Sequence, residues 1–111
     1  MKRITAKAII FNESKDKTLI ARTRFCRGYG LVGGGIKSSE YPQQALYREM
    51  REEVRLFPKD IIQIKKCDHT FSARNSLLGI PIENSIHLFV VIINMLHKIP
   101  GYFLSDPGIR D

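Results

Sequence analysis

The sequence predicts a single α+β domain of 111 residues, and three observations carry that prediction. Two runs rich in β-formers, ITAKAIIF and KTLIARTR, flank the polar NESKDK near the N-terminus. One segment, about Pro42 to Arg55, repeats its apolar residues with a helical period. Two further β-rich runs, IIQIKKCDHTF and SIHLFVVIIN, follow the helix. The length and a hydrophobic content of 43% suit one core of modest size.

Taken in order, the first two runs read as a hairpin with a longer loop, because polar turn-forming residues separate them. The glycine-rich stretch that follows contains GYGLVG, Gly28 to Gly33, which satisfies G-x-G-x-x-G. No helix opens directly after it and no strand-helix-strand unit follows, so a dinucleotide fold is excluded. Pro42 suits a first helical turn, Ser39 or Glu40 stands near the cap, and Pro58 stops the helix. At about 100° per residue, Leu46, Tyr47, Met50 and Val54 share one arc, the stripe expected to face a core. Glu49, Glu52 and Glu53 occupy the adjoining arc with the small Ala45, and Arg48, Arg51 and Arg55 take the third. Beyond the next strand, SARNSLLGIPIEN reads as a loop through Gly79 and Pro81. From about residue 95 to 111 the chain has two Pro-Gly breaks and little periodicity, and is expected to be irregular or a truncated C-terminal segment.

Several functional classes are set aside by composition. The N-terminus runs into charged residues without the apolar stretch of a signal peptide. The longest apolar run, Ile86 to Leu96, is interrupted by Asn94 and falls short of the roughly 20 residues of a membrane helix, so a buried strand is expected. Cys26 and Cys67 match no metal or redox spacing, which suits reduced thiols in a cytoplasmic protein with no membrane partner. Eighteen basic against eleven acidic side chains give a formal charge of +7. Such a surface attracts nucleotides, polyphosphates or nucleic acid without choosing among them. The basic residues are scattered, Lys2, Arg3, Lys7, Lys65, Lys66 and Arg74 among them. Arg22, Arg24 and Arg27, close to the glycines, are the better candidates for touching phosphate.

The three glutamates pose the physical question. Like charges at i,i+3 and i,i+4 on a solvated helix cost only a few tenths of a kcal/mol per pair. Beside a buried stripe, at an effective dielectric near 20, two carboxylates about 5.5 Å apart repel by roughly 3 kcal/mol. A divalent cation reverses that sign. Mg²⁺ takes oxygen ligands and keeps several waters, so an open carboxylate cluster suits a polyphosphate that arrives with the metal.

Gly34, then five residues, Glu40, then seven, then Arg48-Glu49-Met50-Arg51-Glu52-Glu53 resembles the box of the Nudix hydrolases, the MutT-like family, whose pattern is G-x5-E-x7-R-E-U-x-E-E-x-G-U. Leu56 fits the final bulky aliphatic position. The six fixed matches would arise by chance about once in 10⁷ starting positions, which makes the likeness specific. The resemblance covers most of the chain and thins after about Asn94. It implies an α/β/α sandwich with a mixed β-sheet, and in a chain of this length the C-terminal helix could be lacking. It also implies Mg²⁺- or Mn²⁺-dependent hydrolysis of a nucleoside triphosphate or another nucleoside diphosphate derivative. Glu52 and Glu53 would be the main metal ligands and Glu49 a further ligand or the base that orients water. The carbonyl of Gly33 could reach the metal, while Gly34, Glu40 and Arg48 would hold the loop against the helix.

The sequence departs from the family pattern in places. Arg55 stands where the family ends its helix with glycine, and must avoid the left-handed conformation or bear about 1 kcal/mol or more. Ser39 replaces another common glycine. Many members draw a further acid from a late loop, yet Asn94 to Ser105 contains no Asp or Glu, leaving Glu83 as a candidate substitute. A partner subunit could cover one sheet face, so monomer and homodimer both stay open.

Cys67, Asp68 and His69 are adjacent on a strand and point to alternate faces, a poor arrangement for one metal. His87 is expected to be a hydrogen-bonded core residue and His97 a surface one. Phe25, Tyr29, Phe71 and Phe89 could stack a base, although strand aromatics usually pack the core. Three functional classes follow: a housecleaning pyrophosphohydrolase, an RNA 5′-end pyrophosphohydrolase, and a binding module that keeps the fold without catalysis.

Overall fold

The structure, a computed structural model, describes residues 2–22, 29–77, 79–94 and 102–104. Seven strands, β1 (Lys2–Asn12), β2 (Thr18–Arg22), β3 (Tyr29–Gly30), β4 (Val32–Gly35), β5 (Ile61–Leu77), β6 (Ile80–Ile93) and β7 (Tyr102–Leu104), form one mixed sheet. Strand order is β3-β2-β1-β6-β5, with β4 also on β1 and β7 on β2. Among the described residues one α-helix, α1 (Pro42–Val54), packs on the sheet, followed by a short 3₁₀ turn at Pro58–Asp60.

β1 is the hub. It runs parallel to β6 from Lys2↔Glu83 to Asn12↔Ile93, while its other edge takes β4 antiparallel at Thr5 to Ala8 and β2 antiparallel at Ile10 and Phe11. Its alternation explains that position. Ala6, Ala8 and Ile10 are fully buried on one face, and the two alanines leave room for a helix to approach. The turn to β2 is built by Asn12, whose Oδ1 accepts the Lys17 amide at 3.1 Å and whose amide donates to Asp16 at 2.6 Å. Lys15 takes a positive φ of 60° there.

Leu46, Met50, Val54 and Ala45 of α1 are fully buried against that face, with Leu19, Val32, Phe89, Val91 and Ile93, and Tyr47 packs partly against them. Burying each large aliphatic side chain contributes about 1.5–3 kcal/mol, so this stripe is what holds the helix to the sheet. Arg55 adopts the left-handed conformation, φ 54°, as C-cap, and bears the cost a glycine would avoid. Its amide donates to the Arg51 carbonyl and that of Leu56 to Met50, each at 3.1 Å. The reversal turns Leu56 into the core, where it is 1% exposed.

The structure corrects several expectations. The N-cap is Tyr41 rather than Ser39 or Glu40, with the Gln44 Oε1 accepting the Tyr41 amide at 2.8 Å. Of the segment expected as a loop, residues 72–77 and 80–84 continue the two long strands, which pair as far as Leu77↔Ile80. Within the glycine-rich stretch, Tyr29–Gly30 and Val32–Gly35 are strands held by ladders to β2 and β1. Tyr102–Leu104, in a segment expected to be irregular, pairs with β2. Against the expectation of a hydrogen-bonded core histidine, the Nδ1 of His87 is buried with no hydrogen-bond partner among the described residues. Phe89 is core, at 1% exposure, while Phe71 is 47% exposed. Phe25, Cys26, Arg24, Arg27 and His97 lie outside the described residues.

Candidate active site

Three elements meet at the site: β4, the loop Ile36–Tyr41, and the later turns of α1. β4 is fixed by its ladder to β1, in which Lys7 pairs with Gly33 and Ala6 with Gly34. The ladder brings these backbones unusually close. A Cβ on Gly33 would stand 2.0 Å from the Ala6 carbonyl oxygen, and its φ of 145° is one that side-chain-bearing residues rarely adopt. A Cβ on Gly34 would stand 2.6 Å from the Glu49 carboxylate, so the absence of a side chain there is what admits that acid.

Arg48 ties loop to helix. Its Nε and Nη2 grip Glu40 at 2.7 and 2.9 Å, a two-pronged charged contact, and Nη2 also donates to the Gly35 carbonyl at 2.9 Å. The Glu40 carboxylate accepts the Lys37 amide at 2.9 Å as well. The Arg48 guanidinium and that amide hold the Glu40 pKa down at about 2. Arg48 in turn is held more firmly charged by Glu40.

The remaining contacts sort the three helix carboxylates. Glu49 accepts from Arg48 Nη1 at 2.9 Å and is mostly buried. Glu53, one turn on, accepts the Gly33 amide at 3.0 Å. Burial, together with the charge of Glu49, pushes the Glu53 pKa up to about 7, against the opposing pull of the Gly33 amide and the Lys7 charge. Glu52 is 54% exposed and lies 3.6 Å from Arg48 Nη1, the nitrogen that also holds Glu49. Thus the charge of Glu49 is felt at Glu53, and one Arg48 nitrogen, Nη1, stands between Glu49 and Glu52. Among the described residues, no three His, Cys, Asp or Glu side chains are gathered as a metal group.

Two neighbouring carboxylates, one of them made harder to ionise by burial and by the charge of the other, fit a divalent cation. Mg²⁺ is commonly held by one or two carboxylates with waters and substrate phosphates completing its shell. Gly33 presents its amide to Glu53. Arg22 ends β2, where its backbone pairs with Tyr29 of β3. Glu83 is exposed and pairs across the ladders with Lys2 and Arg74. Cys67 is a free thiol.

Sequence reasoning did not single out Lys7. The Ala-Lys-Ala alternation on β1 marks it as facing away from the helix, but its pairing with Gly33 depends on a strand of glycines that no propensity signals.

The sequence profile of the NUDIX domain matches residues 1–100. The chain belongs to the Nudix family. Its curated relatives include an RNA pyrophosphohydrolase of Cellvibrio japonicus, 61% identical over 34 residues, which are 31% of this chain and 19% of that protein. Another RNA pyrophosphohydrolase, from a Marinomonas species, is 40% identical over 58 residues, 52% of this chain and 36% of that protein. The chain thus spans well under half the length of these relatives. Among solved structures, the E. coli dihydroneopterin triphosphate pyrophosphohydrolase superposes with a TM-score of 0.74 at 17% identity, covering 92% of this chain and 78% of that one. A C. elegans Ap4A hydrolase gives 0.67 at 16% identity, covering 94% and 79%. These likenesses establish the fold, a mixed sheet with the Nudix helix packed upon it.

Proposed function

We propose that this Nudix chain is a Mg²⁺- or Mn²⁺-dependent pyrophosphohydrolase acting on a nucleoside triphosphate or another nucleoside diphosphate derivative. The observation that carries the reading is the apposition of Glu49 and Glu53 beside three glycines. Burial raises one of these acids to about pH 7 while the other is clamped by Arg48. A buried pair of like charges is unfavourable unless a cation joins it.

In this reading Glu49, Glu52 and Glu53 hold the ion, with Glu52 swinging in from its exposed position and the Gly33 carbonyl as a further oxygen. When bound, the ion supplies an activated water and offsets charge on the phosphate oxygens. The chain's own part is positional. Arg48 fixes Glu49 and the loop at once, so the carboxylates keep their spacing as substrate enters. Gly33, Gly34 and Gly35 let a polyphosphate approach the backbone closely. Arg22, Arg24 and Arg27 remain candidate phosphate contacts.

A second reading, action on the 5′ end of RNA, is favoured by the local identity to two RNA pyrophosphohydrolases and by the formal charge of +7. Its binding should fall steeply with added salt. Both readings are tested by a panel of nucleoside triphosphates, dinucleoside polyphosphates and 5′-triphosphorylated RNA with Mg²⁺ or Mn²⁺, scoring released phosphate and pyrophosphate. Glu53→Gln should lower kcat by at least about 10² with the fold intact, as when a transition-state contact is lost. Equal turnover in the variant would contradict the site.

A further inference from the structure

The sheet face turned away from α1 carries a groove of about 280 Å³, lined by Phe11, Lys15, Gln63, Lys65, Val90 and Ile92. The strand ladders build it. Phe11, Ile92 and Gln63 form one row across β1, β6 and β5, and Val90 and Lys65 belong to the next row. Ile10, Val91 and Ile93 are buried on the α1 side and Ile64 packs there with them, so strand alternation turns the groove's residues to the opposite face. None of them belongs to the carboxylate site.

Floor and rim differ in chemistry. Phe11, Val90 and Ile92 are partly buried and supply an apolar floor. Two cations border it from opposite sides. Lys65 stands on β5, while Lys15 comes from the turn between β1 and β2, where its amide donates to the Asn12 carbonyl at 3.0 Å and its φ is 60°. None of the six lining residues is acidic. Asp16, next to Lys15, is engaged by Asn12 and Ser14 at 2.6 Å each. Among the described residues neither lysine is held in an ion pair.

We propose that this groove binds a small carboxylate with an apolar body, of the size and charge of a medium-chain fatty acid, on the face opposite the Glu49–Glu53 centre. The chain of such a ligand would leave water for the Phe11–Val90–Ile92 floor. Its two oxygens accept hydrogen bonds only, and so suit ammonium groups reaching in from both sides. A volume at the lower edge of the range of small-molecule pockets admits one short chain. The inference is independent of the hydrolase reading.

The test titrates octanoate, octanol and octylamine, each below its micellar concentration, into the full chain and follows the backbone amide resonances. Octanoate should saturate, shift the amides of Phe11, Val90 and Ile92 rather than those of Glu49 and Glu53, and bind at least about tenfold more tightly than the alcohol or the amine. Lys65→Met and Lys15→Met keep the aliphatic stem and remove the charge. Each should weaken octanoate by about fivefold and leave octanol unchanged, with thermal unfolding confirming that the variant is folded. A face merely covered by lysine stems would take octanol as well as octanoate. That result, no saturation, shifts centred elsewhere, or octanoate binding indifferent to both lysine variants would overturn the proposal.

Discussion

The stretch from Gly33 to Leu56 and the outer end of the β5–β6 hairpin are held together by different physics. In the first, side chains decide. Arg48 makes contacts to Glu40, Glu49 and Gly35, Glu53 is fixed by a backbone amide, and Leu46, Met50, Val54 and Leu56 are buried. In the second, the backbone ladder decides. β6 pairs with β1 only from Glu83 onward, so Ile80 to Ile82 run beyond it with β5 alone for a neighbour. Ile80 is 50% exposed. The contrast teaches where this chain tolerates change: a ladder survives most side-chain substitutions, whereas a site built from close approach does not.

The sharpest way to break that contrast is to add a methyl group where backbones touch. Gly33→Ala places a Cβ 2.0 Å from the Ala6 oxygen at a φ of 145°. The expected loss is about 3 kcal/mol or more, read as a shift of the urea midpoint. A milder probe is Glu40→Gln. The Glu40 carboxyl is depressed from 4.5 to about 2 in the fold. Its contribution to stability is therefore present above about pH 4.5 and disappears as pH falls toward 2. Urea midpoints measured across that range should fall less steeply in Glu40→Gln, which should also be the less stable protein at pH 7. At the far end of the scale, Ile80→Thr keeps a β-branched residue on the ladder and should change stability by less than about 0.5 kcal/mol.

Much of the first region was legible in the sequence and much of the second was not, for one physical reason. Leu46, Met50 and Val54 recur at helical spacing because they face a core, and Ala6, Ala8 and Ile10 alternate because one face of β1 is buried. Burial leaves a pattern. SARNSLL shows no apolar alternation, and in IPIEN the buried Ile82 and Asn84 sit beside a proline and include a polar residue, so the segment reads as a loop. Gly30 and Val32 to Gly35 were missed as strands because glycine has no β propensity and their pairing is dictated by β1. The Tyr41 cap was missed because its stabilising contact is the Gln44 side chain reaching back, not an oxygen of its own. The box names Glu49, Glu52 and Glu53 together, and what it cannot give is that Glu52 is the most exposed of the three while Arg48 Nη1 reaches both it and Glu49.

The claim on which the account turns is that Glu49 and Glu53 share a divalent cation. Titrating Mn²⁺ into the metal-free protein and into Glu53→Gln, followed by water-proton relaxation, tests it most directly. The account predicts a saturable site in the parent protein that weakens by at least about tenfold in Glu53→Gln. No saturable site in the parent, or the same affinity in both proteins, would contradict it.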